Sequence, residues 1–229
     1  RLIANAEVVE LAYDKRQSVI SEDQLALNQT VAENMIINWS PATLTTSNKV
    51  LTTGTATAVP TGMTNAGGTQ LTGTRKLMKE ADLKSMMTLF NANNVPQEDR
   101  YCLVDAWMYD QLITDMGITA NREFSKYYDA EKGILGKLHT FNIIMRSTVV
   151  SYATGNTINA YGAAGVAASD NNGALCWQKN SVSRALGDVL MFDQQSNPAY
   201  YGDIYSFLLR MGGAIRRNDA KGVGVIIQN

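Results

Sequence analysis

A chain of 229 residues can bury a sizeable core without disulfides or metals to brace it. Its Lys and Arg (20) nearly cancel its Asp and Glu (21), and a net charge of -1 excludes a protein whose main task is neutralising nucleic-acid phosphates. A single histidine excludes an imidazole-based metal cluster, and no stretch approaches the ~18 apolar residues of a membrane span or the pattern of a signal peptide.

The opening "RLIANAEVVELA" is short, with Val8, Val9 and Leu11 compatible with the end of a strand. It starts at Arg1 rather than Met, as an ordered or processed part of something longer would. In "YDKRQSVISEDQLALNQTVAENMIINW", apolar residues recur at helical spacing: Ile20, Leu27, Val31 and Met35, flanked by Leu25, Ala32, Ile36 and Trp39. This predicts one long amphipathic helix that serves as the backbone of a domain.

From Pro41 to Thr74 the composition turns to small polar residues, with twelve threonines and five glycines in 34 residues and no lasting periodicity. A long loop is predicted. Loops beyond about 12–15 residues are usually functional or ordered by a partner, so two readings stand: a solvent loop, or a segment that orders on a neighbouring subunit. Next, Leu83, Met86, Met87 and Phe90 mark a helix with Glu80 and Asp82 in its opening turn. "RYCLV" reads as a buried strand, and Asp105 as the N-cap of a helix through Trp107, Tyr109, Leu112 and Ile113.

In "GILGKLHTFNIIMRS", Gly133 and Gly136 are expected turn points before a strand from Phe141 to Met145. A second small-residue stretch, 152–174, predicts a hairpin or loop excursion, with a turn at Asn171-Asn172-Gly173. "LCWQ" is a candidate strand and "NSVSRAL" a short helix. The C-terminal "GDIYSFLLRMGGAIRRNDAKGVGVII" predicts a long strand bulged at Gly212-Gly213, a turn at "NDAKG" and a last strand pairing antiparallel with the first.

The chemistry-bearing residues form no catalytic pattern. Gly68-x4-Gly73-Thr74 has Thr where a phosphate-binding loop needs Lys. His139 reads as a hydrogen-bonded structural residue, and Cys102 and Cys176, far apart among apolar neighbours, as buried reduced thiols. Glu22-Asp23, Glu98-Asp99 and Asp129/Glu131 read as solvated faces and caps, and Arg216-Arg217 with Asp219 as a turn whose charges pair locally or across a subunit contact.

In order, these elements resemble tailed-phage major capsid proteins with the Hong Kong phage type of fold. The 13–39 helix is similar to the family's spine helix, residues 41–74 to the variable loop after it, and "LMKEADLKSMMTLFNANNVPQEDRYCLVDAWMYDQLITD" to its helix–strand–helix passage. The most specific segment is "VPQEDRYCLVDAWMYDQL", where a Pro-acidic-Arg turn leads a buried strand into a helix. "GILGKLHTFNIIMRS" resembles the family's Gly-x-x-Gly-x-x-x-x-Phe-x-Ile segment, and "YGDIYSFLLRMGGAIRRNDAKGVGVII" its returning strands.

The resemblance implies an α+β phage major capsid fold, with the N-terminal arm and most of the extended loop expected before Arg1. It implies 1–12 as the end of the extended loop, 13–103 as spine helix, long loop and helix of a peripheral domain, 104–197 as an axial domain, and 198–229 as returning strands of the peripheral domain. The implied function is structural and not enzymatic. Subunits would self-assemble into hexamers and pentamers of an icosahedral virion, meet scaffold, portal and decoration proteins, and enclose double-stranded DNA without reading it, with assembly in the host cytoplasm. No catalytic, cofactor or metal residue is carried over, because the covalent cross-link of some relatives involves the extended loop. An encapsulin-like compartment shell and a small α+β enzyme are the alternatives. Residues 41–74 and 152–174 are the expected reach across subunit boundaries.

Overall fold

The computed structural model describes residues 2–4, 15–199 and 201–229. The chain divides into two compact units: residues 36–183 with 213–229, and the described residues up to 35 with 184–212. The expected boundary at 103/104 falls inside a strand of the larger unit. Val8, Val9 and Leu11 lie outside the described residues.

The larger unit is built on a mixed seven-stranded sheet in the order β2-β12-β9-β5-β7-β6, with β8 paired to β9. Its strands are β2 (Lys49–Leu51), β5 (Arg100–Asp105), β6 (Ile134–Leu138), β7 (Phe141–Arg146), β8 (Val150–Tyr152), β9 (Asn171–Gln178) and β12 (Val223–Ile227). β9 serves two neighbours on one side: Asn171–Gly173 meet β8 and Leu175–Gln178 meet β5. Both faces are covered, so the central strands carry apolar residues almost continuously, as a strand buried on both sides must.

Alternation divides those residues between two cores. Cys102, Val104, Ala174, Cys176 and Ile226 face helices α2 (Glu80–Ala92) and α3 (Ala106–Ser125), meeting Leu83, Met86, Phe90, Met108 and Leu112. Leu103, Leu175, Val225 and Ile227 point the other way, toward Val150, Tyr152, Leu44 and Ile36. The predicted helix–strand–helix passage is thus α2–β5–α3, and three of the four predicted core residues of α2 are buried. Gly117, at φ 70°, interrupts the helical geometry of α3.

Helix α1 (Lys15–Trp39) runs 25 residues, about 37 Å at 1.5 Å per residue, as expected. Its amphipathicity is weaker than its periodicity predicts. Val19, Met35 and Ile36 are buried, but Leu25 is 69% exposed and Ala32 is exposed, while Leu27 and Val31 are only half-buried. The predicted flank therefore does not face a core along the middle of the helix.

In the smaller unit, β1 (Leu2–Ala4), β11 (Gly202–Ile215) and β10 (Val182–Asn197) form a sheet in that order, and β1 covers only Gly202–Ile204 of β11. Two expectations fail here. "NSVSRAL" is not a helix: after a single 3-10 turn at Lys179–Ser181 the chain enters β10, because pairing along β11 outweighs a short segment's helical spacing. Nor do the last two strands pair with each other. β12, buried at every position, enters the seven-stranded sheet between β2 and β9, while β11 belongs to the other sheet. The division between the units falls at the predicted bulge, Gly212-Gly213.

Two glycine assignments also change. Gly133 (φ 67°) is a turn residue, but Gly136 lies inside β6, where a Cβ would sit 2.6 Å from the Phe124 ring. The β6–β7 turn is instead His139-Thr140, with φ 46° and 75°, the two-residue geometry that matches strand twist. Asn171-Asn172-Gly173 is not a turn either; it is the start of β9, and the excursion is 153–170.

Candidate assembly surfaces

The two small-residue stretches order each other within one chain. Segment 41–74 contains β2, β3 (Ala56–Ala58) and an approach to β4 (Thr74–Lys76), and β3 and β4 pair antiparallel. Leu44, Met63 and Leu71 are buried. Asp170, itself buried, fastens the rest: one carboxylate oxygen accepts from Asn65 Nδ2 (3.0 Å), Asn159 Nδ2 (2.9 Å) and the Val166 N–H (3.0 Å). Arg75 crosses from β4 to donate to the Ala168 and Asp170 carbonyls, both at 3.0 Å. Burial lowers the Arg75 pKa and the Asp170 charge opposes that. The reading in which 41–74 needs a neighbour to order it is thereby corrected. Composition hid this, because isolated Asn, Asp and Arg residues carry no periodic signal.

The start of α2 anchors the same loop. The Asp82 carboxylate accepts from the Lys79 N–H (2.8 Å), capping the helix, and from Thr53 Oγ1 (2.6 Å) and the Thr53 N–H (3.1 Å). One acidic residue in the first turn thus closes the helix and holds the loop.

The Pro-acidic-Arg turn has a physical basis. Arg100 opens β5 with no exposed surface, and its guanidinium donates to the carbonyls of Val95 (2.6 Å) and Pro96 (2.8 Å), Asn91 Oδ1 (2.9 Å) and Thr140 Oγ1 (3.2 Å). The rings of Phe90 and Phe141 lie 5.5 and 5.9 Å from its central carbon. It ties the end of α2, the turn and the β6–β7 hairpin to one point. At the far end of β5, Asp105 caps α3 as predicted, accepting from the Met108 N–H at 2.6 Å. Burial drives its pKa up to about 6 against the bonds from Met108 and Asn172.

The remaining polar residues are engaged in local structure. Gly73-Thr74 leads into β4, a strand, so no helix N-terminus follows that loop. His139 Nε2 lies 2.9 Å from Glu80 Oε1. Asp129 accepts from the Glu131 and Lys132 N–H groups, and the Asp99 carbonyl from the Lys179 N–H. Arg217 pairs with Asp219 at 2.9 Å, which holds that carboxyl below its usual range. Glu22 is exposed and Asp23 half-buried on α1. Cys102 and Cys176 are buried free thiols, and the register makes them direct partners across β5 and β9.

A cleft of about 470 Å³ lies between Pro60, Leu77, Trp107 and Asp115. Its polar groups hold α2 in place: Gln111 accepts from the Met78 N–H (2.9 Å) and Asp115 from the Glu80 N–H (3.0 Å). Among the described residues no group of three or more His, Cys, Asp or Glu could hold a metal, and no helix is long and apolar enough to cross a membrane.

Among the described residues, a contiguous apolar run is left exposed on β10 of the β10–β11 hairpin. Val189, Leu190, Met191 and Phe192 are 55, 49, 46 and 53% exposed, with Leu186 and Leu208 similarly open. Successive strand residues point to opposite faces, so both faces of β10 are apolar and uncovered here.

Solved structures that share this fold include phage capsids. The capsid of Cyanophage P-SCSP1u aligns with 99% of this chain and 69% of its own, at 21% identity and a TM-score of 0.63. For the capsid of Ralstonia phage GP4 the figures are 99%, 71%, 16% and 0.66, and for the mature capsid of bacteriophage PhiM1 99%, 68%, 10% and 0.56. The chain shares the fold of these phage capsid chains. Neither a protein-family model nor a curated protein matches the chain. Within the capsid fold, the α+β architecture expected from the sequence holds over both units. Arg100 and Asp170 act as its internal fasteners.

Proposed function

We propose that this chain is the structural subunit of an icosahedral tailed-phage head, assembling as hexamers and pentamers around double-stranded DNA. The alignment of nearly the whole chain with phage capsid chains carries this reading. The uncovered apolar run on β10 supports it, since a subunit that closes into rings must leave part of its surface for identical neighbours. Its near-neutral charge suits a wall that encloses DNA without gripping it. The role is architectural rather than catalytic, with scaffold, portal and decoration proteins as partners, the virion as final location and the host cytoplasm as the place of assembly. We assign the axial domain to residues 36–183 with 213–229 and the peripheral domain to the smaller unit, moving the expected boundaries to those of the compact units.

The test is particle size by light scattering and electron microscopy on the full-length gene product, expressed with its upstream neighbour. Closed shells or rings of five or six subunits are expected. A strictly monomeric product with any scaffold supplied would overturn the proposal, and shells packed with enzyme cargo in place of DNA would move it to a storage compartment.

A further inference from the structure

Cys102 and Cys176 are separated by a long stretch of sequence but are direct antiparallel partners on the two central strands β5 and β9. Their sulfurs are 3.1 Å apart, in contact on one face of the sheet, and neither residue has exposed surface. Directly opposed residues in an antiparallel pair have Cα atoms about 4.5–5.5 Å apart, within the roughly 4.4–6.8 Å that a disulfide spans. The register therefore puts the pair within the Cα range of a disulfide. In the same core lie Ala174, Val104, Ile226 and Met86, all buried and apolar. Burial, and after it the neighbouring Cys102 thiol, push the Cys176 thiol up.

We propose that Cys102 and Cys176 are an oxidation site: under a small oxidant of the peroxide class they form an intramolecular disulfide that staples β5 to β9. One thiol first takes an oxygen from hydrogen peroxide, giving a sulfenic acid and releasing water. The second sulfur then displaces hydroxide from the first, the S–S bond forms, and a second water leaves. In sum, two thiols and one peroxide give one disulfide and two waters, with both sulfurs oxidised and peroxide reduced. A small oxidant is named because both thiols are fully buried. The proposal concerns the chain itself and stands apart from the capsid reading.

The experiment exposes the full chain to hydrogen peroxide, unfolds it in an alkylating agent, and reads intact mass and peptides. The expected result is a chain two hydrogens lighter, resistant to alkylation, with a peptide joining Cys102 to Cys176 and a melting temperature several degrees above that of the reduced chain. Cys176→Ala should instead leave Cys102 to form a sulfenic or sulfinic acid. Should that variant fail to fold, Cys102→Ala gives the reciprocal reading at Cys176, and the wild-type peptide map still decides. Two alkylatable thiols after treatment, sulfinic acids without a linked peptide, or disulfides only between chains would each overturn the proposal. So would a linked chain that melts no higher than the reduced one.

Discussion

Replacing Arg100 with methionine keeps most of the side chain's length and apolar stem but removes every hydrogen bond of its guanidinium. Four donors are lost, those to Val95, Pro96, Asn91 and Thr140. Pro96 and Asn91 are exposed and regain water, whereas Val95 is buried and its carbonyl stays unpaired. An unsatisfied buried group costs about 1–3 kcal/mol, and the two lost ring contacts about 0.5–2 kcal/mol each. Against this, the variant no longer desolvates a charge, a gain of the kind that lets apolar residues replace buried ions. The net expectation is a loss of about 3 kcal/mol in urea unfolding. Lysine, which keeps the charge but not the planar fork, should lose roughly half of that because it reaches fewer of the acceptors at once. A loss below about 1 kcal/mol for Arg100→Met would refute the argument that this side chain fastens helix, turn and hairpin together.

Asp105, raised from 3.8 to about 6, binds a proton in the folded chain across a pH range where the unfolded chain has released it. Stability is therefore greatest below about pH 4 for this group and falls as pH rises through about 6, by up to ~3 kcal/mol. Asp105→Asn should cap α3 equally well and remove that slope, and identical urea midpoints against pH for both chains would contradict it. Asp170→Ala strands the donors of Asn65, Asn159 and Val166, so limited proteolysis should open 41–74 and 153–170 together while the sheet stays protected. Cleavage confined to one segment would show that they are not fastened to each other. Gly136→Ala should lower the melting temperature by several degrees, at a cost of about 1–3 kcal/mol, because the Phe124 ring 2.6 Å away has to give. Leu190→Glu, on an uncovered face, should leave monomer stability within about 0.5 kcal/mol of wild type yet abolish particles by light scattering. Wild-type particles would remove β10 from the assembly surface.

What the sequence made legible followed from periodicity and capping. Helix α1, the α2–β5–α3 passage and the Asp105 cap are all readable because each is stated by residues within a few positions of one another. The failures are long-range. "NSVSRAL" resembles a helix until β11 lies beside it, and nothing in "VGVII" says that its neighbours are β2 and β9 rather than the strand just before it. Leu25 fits a helical face that is left exposed among the described residues. The two loops were visible as composition, but the fastening of one to the other depends on single residues, Arg75 and Asp170, some 95 positions apart.

The place of β12 has a consequence for biosynthesis. Residues 223–227 occupy an inner position of the seven-stranded sheet, and they are made after every other strand in it. β2 reaches the sheet only through them, in parallel register at Val225, Ile226 and Ile227. While the ribosome still holds this segment, the sheet has a vacant slot between β2 and β9, and its two cores lack Ile226 on one side and Val225 on the other. A nascent chain of this design cannot complete its larger unit until residues 223–227 have left the ribosome.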